Sequence, residues 1–130
     1  MPKKPLVAIV DDDESIRDAT KDLLDAAGFA AATFPSAESF LQSNRRGSTS
    51  CLVTDVRMPG MTGLELHQDL VASGTRIPTI LMTAYPDDRV RTRARKAGVV
   101  CYLIKPFTPD ELLECIRSAL AAGNAAGEKA

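Results

Sequence analysis

The chain has no tryptophan, one histidine and three cysteines, and aromatic residues make up only 5% of its 130 residues. Each scarcity closes off a class of function. A lone histidine, His67, is too few for a phosphohistidine relay with a separate basic histidine, and Ser-His-Asp catalysis finds no supporting context. It reads as a surface residue of the helix that follows Thr62. Cys51, Cys101 and Cys115 form no CxxC and no close pair, and one histidine beside them does not make a zinc site. They read as small buried apolar residues in a reducing cytoplasm. No apolar run approaches the ~18–20 residues of a membrane-spanning helix. The short run between Met1-Pro2-Lys3-Lys4-Pro5 and Asp11 is a strand, not a signal peptide. A net charge of −1 leaves no field of one sign to attract nucleic acid or an anionic membrane directly. GxxxxGK[ST] is missing, as is a Ser/Thr/Gly-rich loop after the first apolar run, which weighs against nucleotide and flavin carriers.

What is present describes one soluble domain: 45% hydrophobic and 25% charged residues in a length that suits a single core. Apolar runs of strand length recur at Leu6–Val10, Ala30–Phe34, Cys51–Thr54, Thr79–Thr83 and Val99–Ile104, with segments of helical period between them. This alternation predicts a parallel sheet covered by helices on both faces. Four runs are nearly all apolar, as doubly buried strands are, while Ala30–Phe34 is weaker and belongs near an edge. Thr62-Gly63-Leu64-Glu65 and Thr108-Pro109-Asp110-Glu111 read as capping boxes, and Ser36 as the cap of a short helix. Gly28 and Gly98 close helices Glu14–Ala27 and Asp88–Ala97. Residues 1–121 form the domain, and 122–130, without a large apolar anchor, read as a frayed helix end or linker stub.

The chemistry gathers at the ends of these strands. Asp11, Asp12 and Asp13 follow the first run and Asp55 ends the third, so in a parallel sheet their carboxylates converge at the carboxyl edge, where open α/β folds place ligand sites. At ~5 Å and an effective dielectric of about 20, each like-charged pair costs roughly 3 kcal/mol, which calls for a cation. Oxygen ligands without His or Cys select a hard ion, Mg²⁺ first and Mn²⁺ as the alternative. Thr83 and Lys105 end the fourth and fifth runs. A carboxylate nucleophile, a divalent cation, a hydroxyl and a lysine suit phosphoryl transfer to an aspartate. The Lys105-Pro106 bond is one that tolerates the cis form, which would turn the lysine amine over the strand tips.

Four segments together resemble the receiver domain of bacterial two-component response regulators: Val10-Asp11-Asp12-Asp13, Thr54-Asp55-Val56-Arg57-Met58-Pro59-Gly60-Met61-Thr62-Gly63, Met82-Thr83-Ala84 and Lys105-Pro106-Phe107. The likeness runs from about Leu6 to Leu120 and is most similar to the FixJ type. It implies a flavodoxin-like, doubly wound (βα)5 fold with strand order 2-1-3-4-5. It implies Asp55 as phosphoacceptor, fed by a sensor histidine kinase or phosphotransfer protein, with Mg²⁺ held by Asp11, Asp12, Asp55 and the main-chain carbonyl of Arg57. By the same likeness Thr83, Ala84 and Lys105 contact the phosphoryl group, and Tyr102 is an aromatic switch that turns inward when the threonine moves. A receiver of the FixJ type precedes a helix-turn-helix DNA-binding domain, which these residues do not contain, so the implied output is transcriptional and lies elsewhere.

Other residues are weighed beside these. Asp13 suits the N-cap of the first helix better than metal ligation. Arg57 and Tyr85, two positions beyond Asp55 and Thr83, can overhang the phosphoryl group and tune its lifetime. Along Arg89–Lys96, Val90, Ala94 and Ala97 share an inward face, Arg91 and Arg95 form one outward stripe, and Arg89, Arg93 and Lys96 form another. That stripe is a solvated face or, by the resemblance, part of the helix 4/strand 5/helix 5 output surface, where a homodimer forms on phosphorylation. Two rivals stand. Asp11-x-Asp13-x-Ser15 resembles the nucleophile motif of haloacid-dehalogenase-type phosphatases, with Asp11 as nucleophile, and a degenerate receiver or binding module would act without phosphorylation.

Overall fold

A computed structural model describes residues 4–129, with side chains as far as residue 122. Five strands alternate with five helices: β1 Leu6–Val10, α1 Glu14–Ala26, β2 Ala30–Phe34, α2 Ala37–Gln42, β3 Cys51–Asp55, α3 Gly63–Ala72, β4 Thr79–Thr83, α4 Asp88–Lys96, β5 Cys101–Ile104 and α5 Pro109–Lys129. All neighbouring strands are parallel, in the order β2-β1-β3-β4-β5. This is the doubly wound sheet of strand order 2-1-3-4-5 expected from the sequence, with the weakest run, β2, at an edge.

Residue alternation along the strands supplies both faces with apolar groups. Val7, Ile9, Cys51, Val53, Ile80 and Met82 pack with Leu24 of α1 and Leu112 and Ile116 of α5. Ala8, Val10 and Leu52 face the other way, onto Phe40 of α2 and Leu66 and Leu70 of α3. Leu81 continues that second face under Ala94 of α4, with Val90 and Ala97 beside it. The helix starts follow the caps read from the sequence. Thr62 and Glu65 exchange both bonds of a capping box, as do Thr108 and Glu111, and Ser36 Oγ accepts from Ser39 N. Gly28 and Gly98 take φ of 92° and 88° past α1 and α4, the left-handed conformation that a closing glycine permits.

Two strand bounds and two burials differ from the expectation. β3 includes Asp55, so the acidic residue belongs to the strand itself, and β5 starts at Cys101, because Gly98 and Val99 still bond back to α4 and Val100 only begins the approach to β4 through Thr79. Helix α5 runs on to Lys129, and beyond residue 122 the side chains of the 122–130 tail lie outside the described residues. Of the cysteines only Cys51 is buried; Cys101 and Cys115 are half-buried at the core's margin. Burial pushes the Cys51 thiol up to about 12. His67 is the largest correction: it is buried, not on the surface, because both ring nitrogens find polar partners inside the fold.

Candidate functional site

Strand register brings the acidic and basic residues together. Val10 pairs with Thr54, Asp55 with Met82, and Thr83 with Ile104. Asp11, Asp55, Thr83 and Lys105 therefore arrive at neighbouring points of the carboxyl edge, although up to 94 positions separate them along the chain. Lys105 Nζ donates to Asp11 Oδ2 at 3.1 Å and to Asp55 Oδ2 at 3.2 Å, across a cis Lys105–Pro106 peptide. Asp11 is fully buried, Asp55 is 9% exposed and Asp12 is exposed. Carboxylate oxygens of the three lie within 4.8 Å of one another.

These neighbours pull the charges in opposite directions. Burial pushes the Asp55 carboxyl above the ordinary aspartate range, Lys105 opposes the rise, and the charge of Asp11 adds to it. Burial lowers Lys105, but its hydrogen bond to Asp11 and the charges of Asp11 and Asp55 outweigh that and hold the amine above the usual lysine value. Lys105 thus pairs with two of the three carboxylates, Asp11 and Asp55. The donor set is all oxygen, which fits a small hard divalent ion of the Mg²⁺ class.

A cavity of about 210 Å³ opens over this cluster, lined by Asp11, Asp12, Asp13, Ile16, Asp55, Arg57, Ala84, Tyr85 and Lys105. Tyr85 is 65% exposed, and the Arg57 guanidinium lies 5.1 Å from its ring centroid, so the two side chains stack at the mouth. Thr83 does not line the cavity. It is buried, and its hydroxyl accepts from Tyr85 N at 3.0 Å. Asp13 acts as the α1 N-cap, accepting from the N–H groups of Ser15 and Ile16. Tyr102 lies farther out, half-buried beside α4, where its hydroxyl accepts from Asp87 N at 3.3 Å. Arg89, Arg93 and Lys96 are exposed and line a separate groove of about 370 Å³ with Asp88 and Thr92.

The model of the family described as response regulator receiver domain matches residues 7–117. The chain belongs to that family. As a receiver domain it is 39% identical over 120 residues to the transcriptional regulatory protein FixJ of Bradyrhizobium diazoefficiens, covering 92% of this chain and 58% of that protein. It is 38% identical to the response regulator protein TodT of Pseudomonas putida, covering 88% of this chain and 51% of that protein. The receiver therefore spans little more than half the length of these relatives. Among solved structures, the response regulator StyR superposes with a TM-score of 0.90 at 41% identity, over 98% of this chain and 64% of that one. FixJ-N superposes with a TM-score of 0.82 at 36% identity, over 92% and 96%.

Two residues of the receiver play parts that the sequence reading did not assign to them. Arg17 Nη1 donates to the main-chain carbonyl of Asp11 at 2.8 Å and so braces the strand-to-helix turn from the first turn of α1. Arg91, read from its spacing as part of an outward stripe with Arg95, is instead half-buried, its guanidinium 5.1 Å from the Tyr102 ring centroid. Helical spacing could have flagged Arg17, which is four residues after Asp13; nothing local points to Arg91.

Proposed function

We propose that this receiver accepts a phosphoryl group on Asp55 from the phosphohistidine of a sensor histidine kinase or phosphotransfer protein. The observation that carries the reading is the convergence of Asp11, Asp12, Asp55 and Lys105 on one small open cavity. An Asp55 oxygen attacks phosphorus, the P–N bond to the donor imidazole breaks, and the imidazole leaves with its electron pair. Asp11, Asp12, Asp55 and the Arg57 main-chain carbonyl would hold Mg²⁺, or Mn²⁺ in its place. When bound, such an ion neutralises charge on the transferring oxygens. Lys105 already points its amine at Asp55 and takes a second share of that charge. The Ala84 main chain and the Thr83 hydroxyl complete the phosphate contacts, the hydroxyl by exchanging its bond from Tyr85 N for one to the phosphoryl group. The stacked Arg57 and Tyr85 shield the acyl phosphate from water and set its lifetime.

Phosphorylation adds about −1.5 to −2 charge at the site. The switch of Thr83 and Tyr102 carries that change to the α4/β5/α5 surface, where Arg89, Arg93 and Lys96 meet a second receiver or an output partner. The name of the FixJ relative, a transcriptional regulatory protein, supports a transcriptional output, and a cytoplasmic setting goes with a kinase-fed, transcriptional role. Among the described residues no helix is long and apolar enough to cross a membrane. The only chemistry proposed for the chain itself is uptake of its own phosphoryl group and its slow hydrolysis. The phosphatase reading meets a specific obstacle, because Asp13, its acid/base, is committed as an N-cap, and both Asp11 oxygens accept hydrogen bonds, from Asp13 N and Lys105 Nζ. A degenerate receiver would lack one of the four key positions, and all are filled.

Incubation with Mg²⁺ and acetyl phosphate, followed by intact mass measurement, tests the proposal. One added phosphoryl group is expected, lost in Asp55→Asn and with a chelator. No adduct under rapid quench, with Mg²⁺ binding confirmed, would overturn it.

A further inference from the structure

Helix α4 is fastened at its two ends by different parts of the fold. At the C-terminal end the Ala97 carbonyl lies 2.9 Å from His67 Nε2. A carbonyl only accepts, so Nε2–H is the donor. On the other side of the ring Nδ1 lies 2.9 Å from Thr79 Oγ1, whose hydroxyl also reaches the Ile77 carbonyl at 2.9 Å. His67 and Thr79 are both buried, so a single imidazole joins α3, the start of β4 and the last turn of α4 in a network sheltered from water. At the N-terminal end the fastening is Tyr102. Its hydroxyl accepts from Asp87 N, the N-cap of α4, in a longer bond of 3.3 Å, and Arg91 lies over its ring. All three residues of this second fastening are half-buried.

We propose that α4 is a lever, pinned at its C-terminal end by His67 and latched at its N-terminal end by Tyr102 through Asp87 and Arg91. This rests on the switching role of Tyr102 proposed above. An inward turn of the ring breaks both latch contacts, because both are made to Tyr102 itself. It breaks neither bond of the pin, because those are made among His67, Thr79 and Ala97. The helix, about 13 Å long, then swings about its last turn. Arg89, beside the latch, moves most and Lys96, beside the pin, moves least, so the basic stripe changes its spacing to a partner at one end only. His67 and Arg91 are positioning residues in this scheme, and neither lines the phosphorylation cavity.

Hydrogen exchange of the full chain tests the two fastenings separately, before any phosphorylation. The Ala97, Gly98 and Val99 amides, bonded to Arg93, Arg95 and Ala94 carbonyls, report the pinned end. The Arg91 amide, bonded to the Asp87 carbonyl, reports the latched end. His67→Leu should speed exchange of the first group about fivefold and leave Arg91 unchanged. His67→Gln, which keeps an N–H for Ala97, should restore protection, and Arg91→Ala with Tyr102→Phe should loosen only the latched end. Equal loosening of both ends by His67→Leu, or none at the pinned end, would overturn the lever. Intact mass after acetyl phosphate treatment should show normal phosphoryl uptake by His67→Leu. Failure of uptake in the wild type as well would overturn the phosphorylation reading, while the exchange pattern would still decide the two fastenings.

Discussion

Asp55 carries its charge against its surroundings. Burial and Asp11 raise its carboxyl above the ordinary range, and Lys105 only partly offsets them. A carboxyl whose folded value is raised contributes stability below its unfolded value, near pH 4, and loses that contribution as pH climbs through the folded value. Asp55→Asn has no such proton to lose. In Mg²⁺-free buffer the variant should therefore melt above the wild type at pH 7, with the gap closing toward pH 4. Thermal melts across that range check it, and a gap that widens on acidification would mean that the Lys105 pair, not burial, dominates. The strain also has a use: a carboxylate short of compensating charge is poised to bind a cation.

At the scale of the element, the turn from β3 into α3 decides where Asp55 points. Gly63 N donates to the Val56 carbonyl at 3.0 Å, and a Cβ at Gly63 would intrude on the main-chain carbonyl of Asp55. This glycine is needed for close approach rather than for a positive φ. Gly63→Ala should cost about 2 kcal/mol in urea unfolding and slow phosphoryl uptake by displacing the acceptor. Unchanged stability would show that the turn can yield without moving the strand. The sequence marked Thr62-Gly63-Leu64-Glu65 as a helix start because capping is local, readable from residues three apart. It could not mark the glycine's contact with Asp55, which depends on how α3 returns across the sheet.

Across the whole molecule, the site and the core are one thermodynamic unit. An ion that binds the folded site alone stabilises the domain by mass action, about 1.4 kcal/mol at ten times its dissociation constant. Mg²⁺ should thus raise the melting temperature by about 4–6 °C, and Asp12→Asn should remove most of that rise. Differential scanning calorimetry with and without the ion checks this, and an equal rise in the variant would place the ion elsewhere.

The sequence alone determined the periodic alternation of strand and helix, the caps, the edge position of β2 and the acidic tips. All of these follow from short-range pattern, because burial on two faces and capping both act within a few residues. Only the tertiary structure decided the fates of His67 and Arg91. In a list of residues His67 is a polar side chain on a helix; in the fold its two nitrogens meet Thr79 and Ala97, 12 and 30 positions away. Arg91 sits among five basic residues of one helix, and only the packing of α4 on β5 sets it over Tyr102. Such contacts depend on how helices settle across the sheet, a choice made by the summed packing of three apolar clusters and by no local rule.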